Sequence, residues 1–375
     1  MADRRSMYND NKFKIGLFGP NCSSGRAVTK VPERWSGNWE GNLALAQMAD
    51  EAGIDFLLPI GRWKGYGGDT NYQGATFETI AWATGLLAAT KRITVFATVH
   101  APLFPPVIAA KQFVTADHIG QGRFALNIVC GWNEGEFRMF GATTGAHEAR
   151  YEYGQEWIDV IRQMWERDEP FDFEGKHLHL HDLVSNPKPW GDTQPLMMNA
   201  GQSPAGHAFA VRNCDALFST PRGSGSVELL AEAVKKAKGL AAEHGRVIDV
   251  FSVGVITCKP TMKEAEAYYR HCVIDEADWN AVDSILAMKD VSPQTVGEEE
   301  YLRRRSHQAH GMGGIPIVGD PDAVAEKLIG LAGAGIRGMG ISFVNYLDEL
   351  PFFRDEVLPR LESAGLREPA ARAAG

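Results

Sequence analysis

The sequence predicts an α/β protein, a (β/α)8 TIM barrel with insertions. Short apolar runs alternate with segments of helical periodicity along the chain, which indicates parallel strands joined by right-handed crossovers. About eight such units occur, the number that closes a barrel. The 375 residues, 44% of them hydrophobic, supply the apolar material for one large core.

The predicted strands are short apolar runs bounded by polar or glycine positions. In chain order they are Phe13–Phe18, Ile54–Leu58, Arg92–Val99, Phe124–Val129, Leu196–Ala200, Ala216–Ser219, Phe251–Cys258 and Gly338–Phe343. The run Arg92–Val99 is rich in β-branched residues, which favour strands. A doubly wound sheet is the alternative, but the turn after Phe18 lacks the glycine pattern of a nucleotide-binding version.

The predicted helices lie between these strands and have apolar residues at helical spacing. They are Asn38–Ala52, Thr76–Thr90, Pro105–Ile119, Ala149–Glu166, Ser203–Asn213, Val227–His244, Met262–Cys272, Asp322–Ala334 and Leu350–Ala364. Gly53 is a typical helix terminator, and Pro105-Pro106 stands where a helix start tolerates proline.

The predicted domain organisation is one barrel with two insertions. Residues 13–365 form the barrel domain, between a flexible N-terminal tail of residues 1–12 and a C-terminal tail of residues 366–375. A hairpin insertion is predicted near 171–189. The polar, charged stretch near 275–316 is long for a loop in a compact domain, and we expect it to be a mobile lid.

Composition and charge exclude several classes of partner. The formal charge of −9 and the absence of a long basic run argue against nucleic acid. No apolar run reaches the length of a membrane span, and the N-terminus lacks the apolar core of a signal peptide. The five cysteines are scattered without a C-x-x-C motif, which predicts reduced thiols in a cytoplasmic protein.

In a barrel, function lies at the carboxyl ends of the strands and in the loops after them. That rule selects Gly61 and Arg62 after the second strand, Thr98 and His100 on the third, and Asn127 on the fourth. An amide inside an apolar strand needs hydrogen-bond partners, because an unsatisfied one costs about 1–3 kcal/mol. A ligand is a natural partner for Asn127.

Two further patterns suggest ligands. Gly201-Gln202-Ser203 precedes a helix, and backbone N–H groups in such a turn can cradle a phosphate. His177, His179 and His181 alternate along one strand, which is possible metal geometry. The histidines lie in the expected hairpin, where an ordinary strand is the stronger interpretation, so no metal site is predicted.

Several segments together resemble the bacterial-luciferase-like flavin monooxygenases, and within them the subgroup of pyrimidine (uracil) and dimethyl-sulfone monooxygenases. The most specific is GRFALNIVCGW at residues 122–132, followed by Glu136. Supporting segments are KIGLFGP (14–20), residues 55–68, RITVFATVHAPLFPP (92–106), RYEY (150–153), AGQS (200–203) and the segment from 318 to 320 with the helix after it. The match extends over nearly the whole chain.

The resemblance implies a two-component enzyme that binds FMN at the barrel mouth. A partner NAD(P)H:flavin reductase supplies the FMN in reduced form, and dioxygen is the co-substrate. The residues that match flavin-contacting positions of the family are Gly61, Arg62, Asn127, Glu136, Arg150, Tyr151, Gly201, Gln202 and Ser203.

The resemblance also implies that Thr98 and Asn127 bind dioxygen beside the flavin. Oxygen can attach at flavin C4a or at N5, and the Thr98–Asn127 pair favours N5. His100 lies where the pyrimidine enzyme has a small residue, so it is a candidate for shaping the pocket or supplying a proton. Trp132 is a candidate for stacking on a planar ligand.

The sequence constrains the substrate less than it constrains the fold or the cofactor. The loops at residues 220–225 and at Phe343–Tyr346 differ from both relatives, and Tyr346 is predicted to contact substrate. A nitrogen heterocycle or cyclic amide is the first expectation, and an organosulfur compound such as a sulfone the second. An F420-dependent dehydrogenase and a flavin-binding protein without turnover are the other hypotheses. A homodimer or homotetramer is expected.

Overall fold

The computed structural model describes residues 4–143, 147–219 and 226–370. The strands are β1 (Lys14–Phe18), β2 (Phe56–Leu58), β3 (Thr94–His100), β4 (Phe124–Val129), β5 (Phe171–Glu174), β6 (His179–Leu183), β7 (Leu196–Asn199), β8 (Ala216–Phe218), β9 (Asp249–Cys258), β10 (Ile315–Gly319) and β11 (Gly338–Ser342). The predicted run Phe124–Val129 is confirmed to the residue as β4, and the other predicted strands shift only at their ends.

The helices alternate with these strands. They are α1 (Trp39–Glu51), α2 (Thr79–Ala89), α3 (Pro106–Ile119), α4 (Glu134–Met139), α5 (His147–Glu166), α6 (Pro204–Asn213), α7 (Val227–Glu243), α8 (Met262–Arg270), α9 (Trp279–Met288), α10 (Pro293–Val296), α11 (Glu298–Ala309), α12 (Pro321–Gly333), α13 (Tyr346–Phe352) and α14 (Leu358–Ser363). Within the described ranges, none of the helices is both long enough and apolar enough to cross a bilayer.

The sheet is the predicted closed parallel barrel. Its strand order is β10-β9-β11-β1-β2-β3-β4-β7-β8, and β9 also pairs with β8, so all but β10 close into a ring. The pairs in register, such as β1 with β2, β3 with β4 and β4 with β7, are parallel. The exception is the separate antiparallel pair β5–β6, which lies inside the segment 171–189.

Side-chain caps explain where several helices begin. Asn38 accepts a hydrogen bond from the backbone N–H of Gly41 at the start of α1, and Ser203 accepts one from Gly206 at the start of α6. Asp278 and Asp320 cap α9 and α12 in the same way. Such caps satisfy N–H groups that the helix itself leaves unpaired.

Residue contacts divide the chain into two compact units. The first comprises Met1–Asn9, Glu78–Phe218 and Lys235–Asp249, and the second comprises Asp10–Phe77, Ser219–Val234 and Val250–Gly375. In the first unit Phe113 packs against Phe124 and Trp157. In the second, Phe56 packs edge-on against Phe251 with the ring centroids 5.7 Å apart.

The described parts of both predicted tails make buried contacts with the rest of the protein. Arg4 is buried and its guanidinium pairs with Asp117, N to O 2.7 Å. At the other end, Arg367 is buried and donates to the carboxylate of Asp55. The backbone N–H of Glu368 donates to the side chain of Asn11 at 2.8 Å. Residues 1–3 and 371–375 lie outside the described ranges.

The stretch expected as a loop-like lid is mostly helical. Residues 275–316 contain α9, α10 and α11 and end in β10. Ala281, Val282, Ile285 and Leu286 of α9 pack with Ala309 of α11 in a buried apolar cluster. The apolar helical spacing is hard to recognise in the sequence because charged residues dominate α11, where Arg303 and Arg304 pair with Glu300.

Arg123, directly before β4, fastens the end of α2 to the sheet. Its guanidinium donates to the carbonyl oxygens of Leu87, Thr90 and Ile93 at 2.9–3.1 Å. A cation at the carboxyl end of a helix also stabilises the helix dipole. The preceding Gly122 has φ = 86°, a conformation that glycine adopts without strain.

Replacing Arg123 with methionine tests this clamp. Arg123→Met leaves several buried carbonyl groups without donors, and we expect the free energy of unfolding to fall by about 2–4 kcal/mol. Urea unfolding followed by tryptophan fluorescence measures the change. Arg212→Met, at an exposed arginine of the same unit, is the control and should change stability by less than about 0.5 kcal/mol. An unchanged urea midpoint for Arg123→Met would contradict the clamp.

All five cysteines are buried free thiols. Burial raises the pKa of Cys130, Cys258 and Cys272 to about 12 each. Burial also raises the pKa of Cys214. A raised thiol pKa keeps the group protonated and therefore a poor nucleophile. The folded state binds these thiol protons more tightly than the unfolded chain does. The free energy of unfolding is therefore unaffected by the thiols below their ordinary pKa, and it falls as the pH rises above that value.

We therefore expect iodoacetamide at pH 8 to leave the folded protein unlabelled and to alkylate the chain fully in urea. Mass spectrometry of the intact chain counts the adducts. Raising the pH toward 10 under native conditions should lower the urea midpoint as these thiols begin to favour the unfolded state. Rapid labelling of the folded protein at pH 8 would refute the burial of these groups.

Candidate functional site

Thr98 and Asn127 are brought together by the register of two neighbouring strands. In the parallel pair β3–β4, Thr98 lies opposite Asn127, and His100 lies opposite Val129. Both side chains are buried, Thr98 at 7% and Asn127 at 5% exposure. The sequence rule that carboxyl ends of barrel strands carry function therefore selects two residues that are in direct contact.

The contact fixes the orientation of the Asn127 amide. Its Nδ2 donates to Thr98 Oγ1 at 3.2 Å. Its Oδ1 is buried and has no hydrogen-bond partner among the described residues. A buried unsatisfied carbonyl costs about 1–3 kcal/mol, so this oxygen is a vacant acceptor for a ligand donor.

The residues after these strands form a tight turn. Gly131 has φ = 97°, and a Cβ there would lie 2.4 Å from the ring of Phe137. His100, the last residue of β3, is buried. Trp132, by contrast, is 41% exposed, which suits a side chain available to a ligand and not one that fills the core.

Two predicted charged residues flank this turn. Glu136 lies on α4 and is almost fully buried, at 1% exposure. Arg150 lies on α5, and one of its terminal nitrogens donates to the carbonyl oxygen of Gly131. Its Nε is buried and unpaired among the described residues, so this guanidinium retains hydrogen-bonding capacity for an anion.

The start of α6 gathers Tyr151, Gly201 and Ser203. The Tyr151 hydroxyl hydrogen-bonds to Ser203, and burial raises the pKa of Tyr151. A Cβ at Gly201 would lie 2.8 Å from the Tyr151 oxygen, and a Cβ at Gly206 would lie 2.7 Å from it. A Cβ at either position would also lie 2.8 Å from the Cα of the other glycine, so the close backbone approach requires glycine at both.

Side-chain hydrogen bonds from Asn199 and Gln202 stabilise the turn at residues 201–203, and they were not predicted from the sequence. Asn199, at the end of β7, donates to the carbonyl oxygen of Ile128 at 2.7 Å and accepts from the N–H of Gly201 at 2.7 Å. Gln202 donates to the carbonyl oxygen of Phe218 at 2.9 Å. The Gly201 N–H is therefore committed to the protein. The signal was an asparagine in a buried strand, as at Asn127.

The remaining predicted residues lie in the second unit. Gly61 and Arg62 follow β2, and the Arg62 guanidinium lies 4.4 Å over the ring of Tyr66. Tyr346 is fully buried, packs edge-on against Trp35, and donates its hydroxyl to the carbonyl oxygen of Phe18. The structure thus places Tyr346 in the core, and its contact with substrate stays a prediction. The loop 220–225 lies outside the described residues.

The three alternating histidines pair with carboxylates. His179 lies 2.8 Å from Glu174, and His177 lies 3.4 Å from Glu152. His181 lies 3.6 Å from the same Glu174. Across residues 4–143, 147–219 and 226–370, no group of three histidine, cysteine or acidic residues has the arrangement of a metal site.

Comparison with known proteins places the chain among relatives of similar length. It is 29% identical over 369 residues to the FMNH2-dependent dimethylsulfone monooxygenase of Pseudomonas fluorescens (strain Pf0-1), a match covering 96% of this chain and 98% of the relative. It is 29% identical to the pyrimidine monooxygenase RutA of Pseudomonas syringae pv. syringae (strain B728a), covering 93% and 96%.

Solved structures share the fold. A riboflavin lyase (RcaE) superposes with a TM-score of 0.85 at 21% identity, covering 96% of this chain and 93% of that one. DmoA from Hyphomicrobium sulfonivorans superposes with a TM-score of 0.85 at 18% identity, covering 97% and 93%. The family model described as luciferase-like monooxygenase matches residues 13–338. The resemblance seen in the sequence is thereby confirmed, and the chain belongs to the luciferase-like monooxygenase family.

Proposed function

We propose that this protein is a two-component FMN-dependent monooxygenase. It takes reduced FMN from an NAD(P)H:flavin reductase and uses dioxygen to oxygenate a small polar substrate. A nitrogen heterocycle or cyclic amide is the preferred substrate class. The observation that carries the proposal is the buried Thr98–Asn127 pair with its vacant acceptor. The names of the FMNH2-dependent dimethylsulfone monooxygenases among the relatives support the cofactor.

The residues present fit a flavin mononucleotide. The vacant Oδ1 of Asn127 suits an N–H donor of the isoalloxazine ring. The amino end of α6, with the hydroxyls of Tyr151 and Ser203, suits the phosphate, because helix N-termini favour anions. Arg150 adds a positive charge, with an Nε that has no partner among the residues the structure describes. Gly61, Arg62 and Glu136 complete the proposed cofactor-binding set, together with Gly201 and Gln202.

When bound, reduced FMN supplies the electrons that activate dioxygen. The protein's contribution is then electrostatic and geometric. Thr98 accepts from Asn127 and carries a hydroxyl proton that can be donated to negative charge developing on oxygen. Both groups are buried, and hydrogen bonds directed at such charge are strongest where water is excluded. Neither group titrates, so this stabilisation does not depend on pH.

His100 and Trp132 are proposed to act on the substrate side. His100 is buried at the end of β3, two residues after Thr98 on the same strand face. An imidazole there can hold or transfer a proton at a ring nitrogen. The exposed indole of Trp132 offers an apolar face to a planar ring.

A second candidate is oxygenation of an organosulfur compound, because relatives with equal identity are named dimethylsulfone monooxygenases. The two candidates share the cofactor and the Thr98–Asn127 pair. They differ only in the molecule that the pocket recognises.

The function is tested with oxygen-18. Purified protein, reduced FMN and ¹⁸O₂ are incubated with uracil, cyclic amides or sulfones, and products are analysed by mass spectrometry. We expect one ¹⁸O atom in a product from the heterocycle or amide set. Label only in a sulfone product would favour the second candidate. Hydride transfer from substrate to F420 without oxygen, or FMN binding with no labelled product, would refute the monooxygenase.

Thr98→Val tests the dioxygen pair. Removing the hydroxyl should lower kcat/KM for oxygenation by about 100-fold, the usual effect of deleting one charge-stabilising donor, while the Kd for FMN changes by less than about threefold. Thr94→Val on the same strand is the matched control, because the Thr94 Oγ1 is buried and unpaired among the described residues. Wild-type oxygenation by Thr98→Val would exclude the proposed role.

A further inference from the structure

Four polar side chains in the second unit, three of them buried, form a set that neither the family resemblance nor the proposed chemistry uses. We call Arg26, Gln73, Lys289 and Gln308 the amide–arginine cluster. Gln73 is fully buried, and Gln308 and Arg26 are 5% and 7% exposed. One polar atom on each of these three residues lacks a hydrogen-bond partner within the described ranges: Gln73 Oε1, Gln308 Nε2 and Arg26 Nε.

The orientation of the Gln73 amide is fixed by its neighbours. Its Nε2 donates to the carbonyl oxygen of Gly25 at 2.7 Å and lies 3.2 Å from the hydroxyl of Tyr72. A backbone carbonyl can only accept, so the nitrogen must face it. The vacant atom of Gln73 is therefore the oxygen, which is an acceptor.

The Gln308 amide has the opposite orientation. Its Oε1 accepts from the ammonium of Lys289 at 3.0 Å. An ammonium can only donate, so the oxygen must face it. The vacant atom of Gln308 is therefore the NH2 nitrogen, which is a donor. Burial of the Lys289 ammonium, together with Arg26 and Arg62, lowers the pKa of Lys289 to about 8.

Arg26 supplies a second donor. One terminal nitrogen donates to the carbonyl oxygen of Gly311 at 2.7 Å, and the guanidinium lies 4.5 Å over the ring of Phe18. Its Nε–H has no acceptor in the part of the chain that the structure describes. Burial lowers the pKa of Arg26, an arginine that nonetheless stays cationic.

A single turn connects the three residues. Gly311 accepts from Arg26, and the sulfur of Met312 lies 3.6 Å from Gln73 Nε2. The N–H of Met312 donates to the backbone carbonyl of Gln308 at 2.9 Å. Gln73 and Met312 both have left-handed backbones, with φ of 55° and 57°. Such strain in residues that are not glycine is typical of functional sites.

Aromatic rings lie beside the cluster. Tyr66 and Tyr72 are stacked with their centroids 6.0 Å apart and their planes 24° apart. Both pack in the apolar cluster that contains Ala309 and adjoins Met312. Flat rings beside fixed amides are a typical environment for a planar heterocycle.

We propose that the amide–arginine cluster is a recognition site for a ring edge on which an N–H lies beside a C=O. Gln73 Oε1 accepts from the N–H, while Gln308 Nε2 and Arg26 Nε donate to the carbonyl oxygen. Cyclic amides, imides and ureides carry that edge. A sulfone presents acceptors only and leaves Gln73 Oε1 unsatisfied. The inference rests on the proposed function and selects its first substrate class.

Equilibrium binding tests this without turnover. The full chain saturated with oxidised FMN is titrated by calorimetry with uracil, with 1,3-dimethyluracil, which lacks both N–H groups, and with dimethyl sulfone. We expect uracil to bind at least about tenfold more tightly than either other probe. Gln73→Leu should remove the preference for uracil over its dimethyl derivative, bringing the ratio of Kd values to about one.

Gln308→Glu is the second variant. It keeps the acceptor that faces Lys289 and replaces only the vacant donor, so folding should be retained while uracil binding weakens at least about tenfold. Gln47→Leu, at an exposed glutamine on α1 of the same unit, is the control and should leave all three Kd values unchanged.

Three results would overturn the inference: equal binding of uracil and its dimethyl derivative, wild-type uracil affinity in Gln308→Glu, or no uracil binding at all. The last would mean that internal water satisfies these atoms. Because no oxygen is consumed, a protein that binds uracil as described but fails the oxygen-18 test refutes the monooxygenase and not the recognition site. Oxygenation with an unaltered Kd in the variants refutes only the site.

Discussion

The chemistry proposed for this protein depends on the register of one parallel strand pair. With β3 and β4 aligned as they are, Thr98 lies opposite Asn127 and their side chains meet. A shift of one residue would turn Asn127 to the other face of the sheet. Arg123 helps to hold this alignment, because its carbonyl accepts from the N–H of Val95 while its guanidinium grips the end of α2. Arg123, which precedes β4, thus helps to align Thr98 of β3 with Asn127 of β4.

In the rest of the candidate site, most polar groups already form hydrogen bonds within the protein. Asn199 holds Gly201, Gln202 holds the carbonyl of Phe218, and Ser203 caps α6. Groups that are fixed before a ligand arrives cost little to order when it binds. The atoms without partners among the described residues, such as Asn127 Oδ1 in the first unit and Gln73 Oε1 in the second, then determine which ligand groups each proposed site can bind.

The sequence predicts the barrel because strand and helix periods alternate clearly, as in Phe124–Val129 and the helix before it. It does not predict α9–α11, since the charged runs EEE and RRR dominate α11 and its apolar contacts come from distant residues. β10 is obscured by Pro316 within a run of only five residues. Thr98 and Asn127 follow from the barrel rule, whereas Gln73 and Gln308 do not. These two glutamines are far apart in sequence, and only the partners of each amide reveal which atom is vacant.

The anchoring of both chain ends has a practical meaning. Asp55 receives hydrogen bonds from Asn11, from the N–H of Ile15 and from Arg367, and Glu368 bonds to Asn11. Residues 11 and 368, near the two ends of the described chain, therefore meet beside the amino end of β1 and are joined there by a hydrogen bond. A short linker could join residues 11 and 368, and new termini could be opened in a surface loop elsewhere.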